Sequence, residues 1–275
     1  MNKKCILYRN DLKYIENDDL NIEQSEFESE NTETIYNEYK KRPKIDLRIK
    51  DSELENYEYL DLSKLEIDDN ILNKLFNLEK IKNILNKIKF LDLSNNNLNN
   101  IPNLENYKNI IYLNISINKI EGTIINNDLI ELVCDDNNIV CIKSNTLERL
   151  VASNNFIYKI NIPNIKILII NNNKLINIDK YEKLEYLECI DNKIEVINNM
   201  ENIQELYISH NNITKIGDNM PKLIILNCAK NPINKISYYE KLTFLLCSTP
   251  YISSKYNISN MSKMKDDYII NFNIL

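Results

Sequence analysis

The chain has 275 residues, 43% of them hydrophobic, with 40 acids against 34 bases for a net charge of −6. That is apolar material for one elongated or two compact domains, and no run approaches the roughly 18 apolar residues of a membrane span. The sequence holds 49 Asn and 47 Ile but 2 Gly and no Trp, a bias that marks an AT-rich genome rather than an activity.

In chain order, Met1 to Tyr8 imitates an export signal, but Arg9 and Asp11 end the apolar run too early. Residues 16–33 carry eight acids and no base, and a basic stretch from Lys40 to Lys50 follows. Residues 1–53 therefore read as a polar, partly disordered segment, with an acidic tail for a basic partner as the sharper alternative. Residues 54–87 read as an N-terminal cap. It holds an irregular strand at Tyr59-Leu60-Asp61-Leu62, then one helix over about 69–87 behind the acidic pair Asp68-Asp69.

From residue 88 an eleven-residue frame begins, Ile88-Lys89-Phe90-Leu91-Asp92-Leu93-Ser94-Asn95-Asn96-Asn97-Leu98, apolar at positions 1, 4, 6 and 11 with Asn at position 9. It recurs with its ninth-position asparagine at Asn118, Asn137, Asn155, Asn173, Asn192, Asn211 and Asn231, spaced by 22, 19, 18, 18, 19, 19 and 20 residues. A further copy starts at Leu242 with Pro250 in the Asn place. Positions 4 and 6 alternate as a strand does. One coil cannot bury its apolar residues alone, so stacked coils must share a continuous core. An inward Asn at each tight bend satisfies backbone groups left over by the turn, so the eight asparagines, Asn96 to Asn231, should form a ladder. Residues 88–252 are thus a repeat array, and 253–275, with Tyr268-Ile269-Ile270, read as a C-terminal cap.

This frame resembles the leucine-rich-repeat family over well over half of the chain. The short period, with Leu132-Val133-Cys134-Asp135-Asp136-Asn137 and Leu150-Val151-Ala152-Ser153-Asn154-Asn155, is similar to the short repeats of bacterial effectors, whereas Ile178 to Leu184 looks more like the phosphatase-regulator type. The resemblance implies an α/β solenoid, a horseshoe with a curved parallel β-sheet, an extended or 3-10 convex side, an N-terminal helical cap, and partners on the concave face. It does not imply any one activity.

Catalytic constellations are scarce. His210 is the sole histidine, and its place beside Asn211 is a surface one. Without a second His there is no zinc pattern, and two glycines make no phosphate loop. No catalytic, cofactor-binding or metal-binding residue is expected, and no cofactor. Of six cysteines, Cys134, Cys189, Cys228 and Cys247 fall at core position 6, while Cys5 and Cys141 fall outside it and read as more open. With no C-x-x-C pair and no export signal, reduced thiols in the cytoplasm are expected. The array carries 16 bases and 18 acids, so nucleic acid is not the expected partner.

Positions 3 and 5 should face the concave side. There Tyr112, Val133, Val151, Ile167, Ile169, Tyr186, Tyr207 and Ile225 make an apolar strip, the candidate contact surface; β-propensity in an Ile-rich chain is the plainer account. The expected function is a non-enzymatic, monomeric protein-binding module off the membrane; with a viral or parasite source, its partner would be a host protein in the host cytoplasm. A regulatory subunit steering a phosphatase or ubiquitin ligase is the alternative, and an RNA-associated scaffold the second.

Overall fold

The computed structural model describes residues 3–6, 57–249, 251–256, 261–264 and 267–271. The chain divides into two compact units, residues 1–120 and 121–275. The acidic segment at 16–33, the order of most of residues 1–53, and Pro250 lie outside the described residues.

The first unit is built on parallel strands β1 (Lys3–Ile6), β2 (Tyr57–Asp61), β3 (Phe90–Asp92) and β4 (Tyr112–Asn114). Tyr59, Phe90 and Tyr112 stand in register, as do Leu60, Leu91 and Leu113. The three leucines are completely buried. Between β2 and β3 the chain forms two helices, α1 (Asp69–Asn77) and α2 (Glu79–Leu85), where the sequence predicts a single one. The start agrees: the Asp68 carboxylate accepts the Ile71 N–H at 2.8 Å, a side-chain N-cap. The break falls at Leu78, whose ψ of 129° is extended. Its cause is the spacing of the apolar residues. Leu72 and Leu75 share a face, but Ile81 lies six residues past Leu75, about 120° off that face in an unbroken helix of 3.6 residues per turn. The break re-aims α2, so that Leu72, Leu75, Ile81, Ile84 and Leu85 are all buried.

The second unit stacks seven parallel strands in the order β6 (Glu131–Val133), β8 (Arg149–Val151), β10 (Ile167–Ile169), β11 (Tyr186–Glu188), β13 (Glu205–Tyr207), β15 (Ile225–Asn227) and β16 (Phe244–Cys247). Each is followed by a return segment on the opposite side of the coil. Four returns form strands: β7 (Asn138–Lys143) and β9 (Lys159–Asn161) pair in one small sheet with β5 (Glu121–Ile125), which precedes β6, and β12 (Val196–Ile197) pairs with β14 (Lys215–Ile216) in another. No 3-10 segment occurs among the described residues. A coil of 18–20 residues leaves no length for a helix after its strand, and extended backbone closes the loop instead. The run Tyr268-Ile269-Ile270 lies in β18 (Asp267–Asn271), which reverses direction and pairs antiparallel with β16, setting the buried Ile270 opposite Leu245. The strand β17 (Met261–Met264) pairs antiparallel with β18.

Two features of the coils go beyond the expected pattern. Position 8, just before each ladder asparagine, is left-handed: Asn95, Ile117, Asp136, Asn154, Asn172, Asp191, His210 and Lys230 have φ between 50° and 56°. Asn and Asp tolerate this region best, which accounts for their frequency there. Cys141, expected to be more open, is buried. The pairing of β7 with β5 shifts between Ile139 and Cys141, so that Cys141 stands in register with exposed Thr123 and Lys159 beside the buried column of Ile124, Ile142 and Ile160, and is covered nonetheless. Cys134, Cys189, Cys228 and Cys247 are buried as well, and the side chain of Cys5 lies outside what the structure describes.

Candidate protein-binding face

The asparagines set the geometry of the face. At seven of the eight bends the Asn amide donates to carbonyls of its own turn and of the preceding coil, and its oxygen accepts an N–H of that coil. Asn173 donates to Ala152 O and Asn171 O, each at 2.9 Å, and accepts the Ile157 N–H at 2.9 Å. Asn155, Asn192 and Asn211 repeat the scheme with Cys134 O, Ile170 O and Cys189 O, and Asn231 does so with Ile208 O. Within the first unit Asn96 and Asn118 reach Leu62 O and Leu93 O. Asn137 donates to Cys134 O and Asp135 O of its own turn. Six of the eight are buried, and Asn118 and Asn231 are half-buried. Within each unit this side-chain ladder locks a strand in register with the next.

The lock fixes which side chains face out. In β8, β10, β11, β13 and β15 the central leucine is fully buried, and the residues on either side are half-exposed. Val151, Ile167, Ile169, Tyr186, Tyr207 and Ile225 all stand in such places, on adjacent strands. Two members of the expected strip do not. Val133 is 6% exposed; this short side chain stands in register beside Val151, two residues along β6 from the ion pair of Glu131 with Arg149. Tyr112, in the first unit, is also 6% exposed, because the Phe90 ring packs on it at 5.7 Å between centroids.

The strip also contains two residues that hydrophobicity alone passes over. Tyr186 is in register with Glu205, and Glu188 with Tyr207, so β11 and β13 present a checkerboard of two phenols and two carboxylates. Tyr186 donates to Glu188 at 2.8 Å and Tyr207 to Glu205 at 2.9 Å. The two rings, on one diagonal, lie 5.6 Å apart. Burial, with the carboxylate at each hydroxyl, holds the Tyr186 phenol above its ordinary range and pushes Tyr207 up to about 12. Asn171 donates to the other oxygen of Glu188 at 2.6 Å. The signal was present at positions 3 and 5 of adjacent repeats, where each acid sits diagonal to another acid and beside a tyrosine.

His210 is exposed, as expected, but not isolated: its Nδ1 lies 3.7 Å from the Asp191 carboxylate on the neighbouring coil. Among the described residues there is no group of three His, Cys, Asp or Glu able to hold a metal ion, and no helix long and apolar enough to cross a membrane.

No protein-family model matches the chain. A leucine-rich repeat protein of Acanthamoeba polyphaga mimivirus, R380, is 34% identical over 145 residues, which is 51% of this chain and 32% of that protein. The chain thus spans about a third of the length of that relative. Among solved structures, the leucine-rich repeat domain of APL1B superposes with a TM-score of 0.54 at 15% identity, covering 77% of this chain and 79% of that one. The LRIM1/APL1C complex superposes with a TM-score of 0.53 at 22% identity, over 69% and 43%. Repeat frame, parallel strand order and these likenesses agree: the chain has the leucine-rich-repeat fold.

Proposed function

We propose that this leucine-rich-repeat chain is a non-enzymatic binding module that holds a protein partner on the sheet face of its second unit. The observation that carries the reading is the run of half-exposed apolar and aromatic side chains on five successive strands: Val151, Ile167, Ile169, Tyr186, Tyr207 and Ile225. A sheet face needed only for solubility would carry polar residues there. Contiguous apolar surface of this kind marks interaction sites, and tyrosine is a favoured anchor in them. Neighbours as distant as those above bear on fold alone, so the reading rests on the face itself.

The same face argues against a nucleic-acid partner. Its one described base in positions 3 and 5 of the second unit, Arg149, is already paired with Glu131, which leaves no cationic track for phosphates. Steering of a phosphatase or ubiquitin ligase would use the same face. Given the five buried cysteines and the viral relative, the compartment we propose is the cytoplasm, that of the host if the source is viral, with the chain acting as a monomer. The test replaces Ile169 and Ile225 together by Asp. Both side chains point away from the core, so the melting temperature should hold within a few degrees. Capture of the principal partner in a pull-down from the native cell should be lost. A folded variant that captures every partner at wild-type yield refutes the reading.

A further inference from the structure

The checkerboard on β11 and β13 has a chemistry that an apolar strip does not need. Two carboxylates, Glu188 and Glu205, occupy one diagonal of a square whose other diagonal is a packed pair of tyrosine rings. Three isoleucines border them: Ile167 and Ile169 flank one side, and Ile225, beside the polar Asn227, the other. No described cation pairs with either acid. Glu188 receives hydrogen bonds from Tyr186 and Asn171, and Glu205 one from Tyr207. Each carboxylate has about four acceptor sites, so both retain capacity. The phenols spend their protons holding the carboxylates in place, which leaves the ring faces as the remaining contact surface of the tyrosines.

A fixed carboxylate beside an aromatic ring is complementary to one side chain above others. A guanidinium is planar, releases no proton at working pH, forms paired hydrogen bonds to a carboxylate and stacks on a tyrosine ring at the same time. A lysine ammonium makes a point contact and cannot do both as a plane. We propose that the Tyr186–Glu188–Glu205–Tyr207 square is a socket for an arginine of the protein partner, set in the apolar strip so that partner contacts exclude water around it. The inference rests on the sheet face being the contact surface, and it specifies the partner's chemistry: a segment that presents arginine among apolar residues. It also accounts for two acids in the middle of an otherwise apolar strip, where uncompensated charge opposes association with a neutral surface.

The test uses the full chain and two short fluorescent peptides of equal length and charge, one presenting arginines and one lysines, followed by anisotropy at low and physiological salt. The arginine peptide should bind at least about tenfold more tightly than the lysine peptide. Glu188→Gln with Glu205→Gln, which keeps shape and removes charge, should weaken it by about tenfold or more, and Tyr186→Leu should abolish the arginine preference while leaving a salt-sensitive residue of binding. Equal affinity for both peptides, or unchanged arginine binding by the double glutamine variant, overturns the socket. Partner capture separates the two readings. If Ile169→Asp with Ile225→Asp loses the partner while Glu188→Gln with Glu205→Gln keeps it at wild-type yield, the face stands and the socket falls. If both variants keep it, both fall.

Discussion

Replacing Asn173 by Ala removes one rung from the middle of the second unit's ladder. The Ile157 N–H then loses its acceptor at 2.9 Å. The Ala152 carbonyl loses its donor at 2.9 Å and keeps only the long 3.4 Å contact from Asn155. Both Ile157 and Ala152 are completely buried, so neither group can turn to water. A stranded buried backbone group costs about 1–3 kcal/mol. Counting Ile157 in full and Ala152 in part gives a loss of about 2–4 kcal/mol. For a chain of this size each kcal/mol moves the midpoint about 2–4 °C, so the fall should be roughly 5–15 °C. The defect should also be local, because each coil touches only its neighbours. Amide exchange followed residue by residue reads this directly. Ile157 should lose protection, while Leu175, whose N–H is held by Asn192 at 3.0 Å, serves as the internal control. An unchanged midpoint together with unchanged protection at Ile157 would mean that the ladder does not hold the coils.

Other consequences can be checked with less effort. Ile117 is a β-branched residue at φ 55° and is 52% exposed; left-handed backbone costs an L-residue about 1–2 kcal/mol that Asn partly avoids, so Ile117→Asn should raise the melting midpoint by a few degrees, and a fall would count against strain at position 8. Burial raises the phenols of Tyr59, Tyr181 and Tyr239, and pushes Tyr256 up to about 12, like Tyr207. The folded state keeps these protons while the unfolded chain releases them near pH 10, so their stabilisation is complete below about pH 10 and falls as pH rises, with the share of Tyr256 and Tyr207 gone once pH passes about 12. Urea midpoints falling steadily over that window, with late-titrating tyrosinate absorbance in the native protein, are expected; uniform titration near 10 would refute the burial of the phenols. Finally, thiol titration of the denatured protein without reductant should count about six, and the native protein should react slowly because the five described cysteines are buried; a count of two or fewer overturns the reduced compartment.

What could be read in the sequence follows from what repetition averages. Leu150, Leu168, Leu187, Leu206 and Leu226 fill one environment several times over, so the frame announces the strand, the core and the ladder even where a single coil is ambiguous. The cap is not repeated, and there the single-helix reading failed: the six-residue step from Leu75 to Ile81 shifts the apolar face by about 120°, a phase break that reading 69–87 as one periodic run passes over. The left-handed position was visible as a column of Asn and Asp, but Ile117, His210 and Lys230 obscure it, and only the backbone shows that they share one conformation.

The candidate face divides in the same way. Reading positions 3 and 5 as columns finds Ile167, Ile169, Tyr186 and Tyr207, because outward direction alternates along a strand whatever the neighbours are. It misjudges Tyr112 and Val133, whose burial is set by Phe90 and by the surroundings of β6 rather than by strand parity. It also treats Glu188 and Glu205 as interruptions of an apolar strip. Only the register of β11 on β13 turns two acids and two tyrosines, spread over 22 residues, into one square with its hydrogen bonds already made. Specificity in a repeat array therefore resides in departures from the consensus that meet across adjacent coils, and the array's regularity places those departures at fixed spacings. By that logic the most informative residues on this face are the two acids that break its hydrophobic pattern, since an apolar strip gains nothing from them unless a cation of the partner completes the square.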